Sequence, residues 1–248
     1  MPRQARRLSK TGIYHTMLRG INRQQIFEDK DDYEKFIEVL KDCKAVSGFM
    51  LYAYCLMGNH IHLLIKPGKE PLEMIFKRIG SRYVYWYNWK YNRRGHLFQD
   101  RYKSEPIDTD EYFLTVLRYI HENPIEAGMT ENIYSYDYSS AKEYLNGKSL
   151  LVDMEFSIDI LGREGLLEFF AQPSERKCMD DDTANTRLSD KEAIEIIKKV
   201  SKLTNSLEIQ SLNQEKRNMI LSELRKNGLS IRQISRLTGV SFNIVRKF

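Results

Sequence analysis

Cysteine is scarce in this chain. Its 248 residues carry three, Cys43, Cys55 and Cys178, widely spaced and with no metal-type pair among them, which suits a reduced, cytoplasmic interior better than a disulfide framework. Long apolar runs are missing as well. Nothing approaches the roughly 18 residues that mark a membrane span. The basic N-terminus MPRQARRLSK has no apolar region behind it, so it is not read as a secretory signal. No internal repeat is visible. Neither a His-Glu-x-x-His motif nor a cluster of acidic ligands occurs, so a metal hydrolase of that kind has no support. Acid is absent between Leu224 and Phe248, where Arg225, Lys226, Arg232, Arg236, Arg246 and Lys247 supply positive charge alone.

What is present is ordinary for a globular protein: 42% hydrophobic and 29% charged residues, in a length that allows one sizeable core with a smaller satellite. The formal net charge is +5, and Arg3, Arg6, Arg7 and Lys10 crowd the other end of the chain. Both ends read either as phosphate-facing surfaces or as solvated basic faces; charge alone does not choose between them.

Periodicity predicts strands at Ile13–Gly20, Phe49–Met57, His60–Lys66 and Phe98–Ile107, the middle pair joined as a hairpin at Gly58-Asn59. It predicts helices at Lys30–Val46, from Pro71 to about Tyr91, and from a capping-box-like start at Asp108 and Glu111 to about Glu122, where Pro124 disfavours continuation. The order β-α-β-β-α-β-α fits an α+β fold, a ferredoxin-like split βαβ sandwich with an antiparallel sheet. A Tyr/Ser-rich stretch from Tyr134 to about Ser149 is expected to wrap back over that core. Beyond it come a short helix at Leu161–Phe170, a polar linker at Pro173–Thr186, and helices at about Asp190–Lys202 and Asn213–Lys226, the last closed by Gly228. The expected domains are 1–150 (catalytic), 151–188 (connecting segment and linker) and 189–248 (helical).

Two constellations carry chemistry. In Gly58-Asn59-His60-Ile61-His62-Leu63-Leu64, residues i and i+2 of a strand share a face, so His60 and His62 project together. Two adjacent imidazoles can bind a divalent cation, yet His-x-His by itself is more often two polar residues on a half-exposed strand. In Leu117-Arg118-Tyr119-Ile120-His121-Glu122-Asn123-Pro124, Tyr119 and Asn123 stand one helical turn apart on one face, where the Asn oxygen can complete a His-His site with the phenol nearby. Among fifteen tyrosines, composition does not single this one out. His121 is turned away from Tyr119 by helical geometry and reads as structural or DNA-facing; no general base is visible, and water or a carboxylate could serve.

A resemblance decides. Gly12-Ile13-Tyr14-His15 with Arg19-Gly20-Ile21-Asn22-Arg23-Gln24, then CLMGNHIHLL, GHLFQDRYKS, YIHENPIEAG and YDYSS, taken in this order, resemble the single-tyrosine HUH transposases, in particular the REP-associated tyrosine transposase group, over about residues 1–145. The resemblance implies a ferredoxin-like fold, His60, His62 and Asn123 as ligands of Mg²⁺ or Mn²⁺, and Tyr119 as the nucleophile that forms a 5′-phosphotyrosine. The implied partner is single-stranded, hairpin-forming DNA. The His pair tilts toward Mn²⁺ and physiological abundance toward Mg²⁺. Relatives occur both as monomers and as homodimers that exchange the tyrosine helix. Arg19, Arg23, Arg101 and Lys103 fall by motif near the sheet and its loops, where they read as phosphate contacts or as solvated surface. The aromatic run Tyr83–Trp89 is expected to be about half core, with a free face able to stack on bases.

At the C-terminal end, Leu229–Ser241 resembles a helix-turn-helix. Ser230 caps its first helix, Gly239 makes the turn, Val240 plugs the corner and Ser241 caps a recognition helix. Only a few residues remain before Phe248, which predicts a truncated chain or weak binding. Arg232, Arg236, Asn243 and Arg246 are its candidate DNA contacts. The alternative to an enzyme is a DNA-binding regulator with an inert catalytic core; retention of His60, His62, Tyr119 and Asn123 together argues against it.

Overall fold

A computed structural model describes residues 7–149, 151–172, 190–203 and 206–248. Arg3, Arg6, Cys178 and the linker expected at Pro173–Thr186 lie outside the described residues. Two units are present, Met1–Met179 and Asp180–Phe248.

The first unit runs β1 (Ile13–Arg19), α1 (Lys30–Ser47), β2 (Met50–Met57), β3 (His60–Lys66), α2 (Leu72–Lys90), β4 (Lys103–Ile107), α3 (Asp110–Glu126), α4 (Ala141–Asn146) and α5 (Glu155–Ala171). The strands form one sheet in the order β2-β3-β1-β4, with every neighbouring pair antiparallel. This is the α+β architecture read from the sequence. Both faces of β3 are covered: His62 and Leu64 on one, and Ile61, Leu63 and Ile65 on the other, are all buried. The latter set shares a core with Phe36 and Leu40 of α1 and Ile75 and Ile79 of α2, two helices that pack on each other. On the histidine face lies α3, packed over β2 and β3.

Local chemistry explains where these elements start and stop. A capping box between Asp29 and Asp32 opens α1, and Gly48 closes it in the left-handed region at φ 64°. The outer edge of β2 is covered as expected by the Tyr/Ser-rich wrap: Leu56 N–H donates to the Tyr138 carbonyl at 2.9 Å, Ser140 N–H donates to the Tyr54 carbonyl at 3.0 Å, and the Tyr136 hydroxyl donates to the Leu56 carbonyl at 2.7 Å.

Four boundaries differ from the periodicity. β4 starts at Lys103 rather than Phe98, because Phe98 makes only an isolated bridge to Gly20; Pro106 is tolerated because β4 is the sheet edge. The cap of α3 is Thr109, whose hydroxyl accepts from Tyr112 N–H, while the Asp108 carboxylate accepts instead from Lys10 N–H at 2.8 Å. α3 also continues through Pro124 to Glu126. A proline this close to the end removes one helical bond, and the Asn123 side-chain amide adds one by donating to the Tyr119 carbonyl at 2.8 Å. The helix predicted at Leu161–Phe170 is the second half of α5, broken from the first half where Gly162 takes φ 70°. Leu151, Val152, Met154, Leu166 and Phe170 belong to the first unit's core.

In the second unit, α6 (Asp190–Ser201), α7 (Gln214–Lys226), α8 (Ile231–Thr238) and α9 (Phe242–Val245) surround a small core that includes Ile197, Leu221, Leu224, Ile234 and Val245. Ser230 forms a capping box with Gln233, Gly239 ends α8 at φ 72°, and Val240 is buried at the corner. Ser241 occupies the cap position of α9, but its side chain makes no capping hydrogen bond, and α9 is a single turn. Among the described residues no helix is long and apolar enough to cross a membrane.

His121 locks α3 from the side away from the sheet histidines. It is fully buried, lies 2.8 Å from the Ser140 hydroxyl and packs edge-on against Tyr144 and Phe170, which makes it structural and removes the DNA-facing reading. Burial pushes its pKa down to about 3. The folded state therefore keeps this ring neutral while the unfolded chain takes up a proton below about pH 6.5, so stability falls as pH falls. Between pH 7.5 and pH 5, urea titrations of His121→Gln, which retains a hydrogen-bonding group but cannot titrate, are expected to lose about 2 kcal/mol less than those of the native sequence.

Candidate functional site

The site is built on the sheet face that alternation assigns to His60 and His62. Register adds residues from the neighbouring strands: Arg19 stands opposite His60, Met17 opposite His62 and also opposite Lys103, and His15 opposite Glu105. Directly paired residues share a face. A third histidine, a carboxylate and two basic residues therefore join the pair.

The three imidazoles touch. His60 and His62 have ring centroids 4.9 Å apart, and His15 meets His62 edge to edge, centroids 5.2 Å apart, with its Nε2 2.9 Å from His62 Nδ1. His62 and His15 are fully buried and His60 is half-buried. Desolvation dominates their titration. His60 is pushed down to about 3 by burial and then by the Arg19 charge; His62 is lowered by burial and then by His60, His15 and Arg19; His15 is lowered by burial against the opposing pull of Glu105. All three are neutral at physiological pH, the state in which an imidazole can offer a lone pair.

Tyr119 of α3 packs edge-on against this cluster in the same chain, its ring 5.9 Å from that of His62 and 5.8 Å from that of His15. It is 4% exposed, and Asn123, one turn on, is 7% exposed. With the Asn123 amide nitrogen bonded to the Tyr119 carbonyl, the amide oxygen is the group Asn123 has to offer an ion.

A tight loop orients His60. Its Nδ1–H donates to Asn59 Oδ1 at 2.6 Å, and the Asn59 amide donates to the Arg23 carbonyl at 3.4 Å. The loop from Gly20 to Phe27 clasps the hairpin turn: Gly20 N–H donates to the Asn59 carbonyl at 2.9 Å and Ile26 N–H donates to the Gly58 carbonyl at 2.8 Å. Asn22 and Arg23 both adopt left-handed backbone there, at φ 54° and 60°, and a Cβ at Gly20 would run into the Gln24 carbonyl.

The residues fit a divalent ion on one observation: His62 Nε2 is buried with no hydrogen-bond partner. His60, with Nδ1 committed to Asn59, has Nε2 as its remaining acceptor. Among the described residues no three His, Cys, Asp or Glu side chains gather as a ligand set, so an ion here depends on the imidazole pair and the amide oxygen.

The expected DNA contacts divide. Arg19 and Lys103 share the histidine face, and Arg23 lies in the clasping loop. Arg101 precedes β4, with its guanidinium 3.7 Å from the exposed Glu73 carboxylate. On α2, Tyr83 and Tyr87 are core while Tyr85 is 79% and Trp89 74% exposed, which is the half-and-half division that helical spacing predicts. In the second unit Arg236, Asn243 and Arg246 are exposed; the Arg232 side chain lies outside the described set. Sequence reasoning missed His15 and Glu105 as parts of the site. The alternation of β1 puts His15 with Met17 and Arg19, but only strand pairing shows that this face meets His62.

Residues 9–123 match the family described as "Transposase IS200 like", so the resemblance carried by the motifs is borne out over that stretch. The solved structure of a REP-associated tyrosine transposase bound to a REP hairpin superposes with a TM-score of 0.53 at 14% identity, covering 76% of this chain and 99% of that one, a likeness of fold. A protein described as a transposase from Deinococcus radiodurans R1 matches with a TM-score of 0.34 at 17% identity, over 44% of this chain and 88% of its own. No curated protein matches the chain.

The tyrosine's packing generates a prediction about stability. Tyr119→Ala is expected to cost about 3–5 kcal/mol in denaturant titrations, because it opens a cavity against the histidine rings. Tyr119→Phe keeps the ring and is expected to stay within about 1.5 kcal/mol of the native sequence, the range of one hydrogen bond.

Proposed function

We propose that this chain cleaves and rejoins single-stranded DNA, as a transposase of the single-tyrosine kind, with Tyr119 as the covalent nucleophile. The observation that supports this reading best is the placement of a buried phenol ring 5.9 Å from an imidazole whose outer nitrogen has no partner. The match to IS200-like transposases supports the same reaction class, and the hairpin bound to the structural neighbour supports hairpin-forming DNA as the substrate.

A phenol has a reference pKa of about 10 and is mostly protonated at neutral pH, so it needs an activated electrophile. His60 and His62 through their free ring nitrogens, with the Asn123 oxygen, would hold Mg²⁺ or Mn²⁺, whose chemistry at a scissile phosphate is to polarise phosphorus and offset charge on its oxygens. Tyr119 Oη would attack phosphorus as the bond to the 3′-oxygen breaks. The electron pair leaves with that oxygen, the phenol proton is balanced by the proton the new 3′-hydroxyl gains, and a 5′-phosphotyrosine remains. One phosphoester replaces another, so attack by a different 3′-hydroxyl reverses the step and joins strands without an external energy source. Packing α3 against the sheet, with His121 locked behind it, would hold the phenol in position before substrate arrives.

Arg19, Lys103 and Arg23 would meet the phosphates flanking the scissile bond, and Arg236, Asn243 and Arg246 would add contacts from the second unit. Arg101 is weaker in this role because Glu73 competes for it.

The test is a denaturing gel of the full chain incubated with Mn²⁺ and an end-labelled single strand carrying a hairpin. A covalent protein–DNA adduct is expected for the native sequence, and none for Tyr119→Phe. An adduct that persists in Tyr119→Phe would refute the nucleophile. Binding of the hairpin with no adduct under Mg²⁺ or Mn²⁺ would establish the inert regulator instead.

A further inference from the structure

We propose that His15 is a positioning residue that holds His62 in its Nδ1–H tautomer and so aims the Nε2 lone pair of His62 into the site as a ligand for a divalent cation. The proposal rests on the reading of His62 as a metal ligand and adds the group that prepares it.

The two facing nitrogens, His15 Nε2 and His62 Nδ1, are 2.9 Å apart, and both rings are fully buried. Neutral imidazole carries one N–H, so one proton lies between them and two arrangements exist. In the first, His15 Nε2–H donates. His15 Nδ1 then turns a lone pair toward the Glu105 carboxylate 3.7 Å away, and His62 Nε2 carries an N–H with no acceptor in a buried setting. That arrangement sets a lone pair against an anion and orphans a donor. In the second, His62 Nδ1–H donates to His15 Nε2. His15 Nδ1 then carries the hydrogen that faces Glu105, and the only unmet group on His62 is a lone pair at Nε2, which is what a cation takes. The second arrangement leaves the His15 Nδ1–H facing an anion 3.7 Å away, an electrostatic contact rather than a hydrogen bond, and turns the unmet atom of His62 into a lone pair that a cation would take.

The partners come from separate strands. His62 belongs to β3, while His15 and Glu105 sit opposite each other on β1 and β4. With 27° between their planes and centroids 5.2 Å apart, the two rings lie edge to edge, the disposition an N–H···N bond requires. His60 has a different orienting partner, Asn59, bonded to its Nδ1. Both ligand candidates are thus held at Nδ1 and present Nε2, by unrelated means.

The experiment uses the full chain, ¹⁵N-labelled in histidine and free of metal, at pH 7.5. Long-range ¹H–¹⁵N correlation identifies the tautomer of His62, assigned by its loss in His62→Gln. The native protein is expected to show Nδ1–H. His15→Phe removes the acceptor and is expected to move His62 toward Nε2–H and to weaken Mn²⁺ binding, measured calorimetrically without DNA, about 10- to 100-fold. In His15→Gln a side-chain oxygen can accept from Nδ1–H, and this variant is expected to restore both the tautomer and most of the affinity. Nε2–H in the native protein, or an unchanged tautomer or Mn²⁺ affinity in His15→Phe, would overturn the proposal. Neither readout involves DNA, so a protein that shows the tautomer and the Mn²⁺ effect yet forms no adduct supports the positioning role while the strand-transfer reading fails.

Discussion

The packing of α3 against the histidine face of the sheet is the contact on which the candidate site depends. That face is unusual for an interior: it offers three imidazoles, a carboxylate at its rim and an arginine to the underside of a helix. Such a face is buried at low cost only if its rings are neutral and their nitrogens paired. Burial enforces the first condition, holding His60 near 3 and lowering His15 and His62. The pairing is met ring to ring between His15 and His62, and ring to amide between His60 and Asn59. Two ring nitrogens are left over, His15 Nδ1, which faces Glu105 at 3.7 Å, and His62 Nε2, beside the Tyr119 ring that α3 sets against the cluster.

Because the helix has to bring a particular residue to a particular ring, its far side is as constrained as its near side. His121, bonded to Ser140 and wedged between Tyr144 and Phe170, occupies the opposite flank from Tyr119. Ser140 is in turn held by its N–H on the Tyr54 carbonyl of β2. The Tyr/Ser-rich wrap therefore does two jobs with one residue: it seals the outer edge of the sheet and clamps the back of the tyrosine helix. Rotation of α3 about its axis would break the His121 bond and strand a buried imidazole, so the angular position of Tyr119 is set from behind.

How far the sequence carried this picture depends on the range of each interaction. Alternation placed His60 and His62 on one face because period-two geometry is local, and i, i+4 spacing paired Tyr119 with Asn123 for the same reason. The site's remaining members are non-local. His15 lies 47 residues from its partner His62, and the hydrogen bond between them exists only through the β1–β3 register, which no window of sequence displays. The misjudged boundaries follow the same division. Thr109 displaced Asp108 as the cap of α3 because Lys10, far away in sequence, claims the Asp108 carboxylate. The stop expected before Pro124 was overridden because Asn123 and Pro124 are buried, and packing outweighs the loss of one helical bond in a last turn. Where local chemistry acted alone, as in the capping box at Ser230 and the left-handed Gly239, the reading and the structure coincide.

The loop from Gly20 to Phe27 links binding to chemistry in the proposed reaction. Arg19 stands at the end of β1 opposite His60, and Arg23 hands its carbonyl to Asn59, which in turn orients His60. Two left-handed non-glycine residues hold this turn in a conformation that isolated peptides disfavour, so its shape is sustained by the bonds to Gly58 and Asn59. A phosphate drawn to Arg19 or Arg23 would thus act on the same short segment that fixes one of the two proposed ligands. His62, by contrast, is bonded to His15 of the neighbouring strand, in the middle of the sheet. In the proposed reaction the site would therefore combine one imidazole anchored in the middle of the sheet with one anchored in a segment that DNA would touch, and DNA binding would act on the ion through His60 rather than through His62.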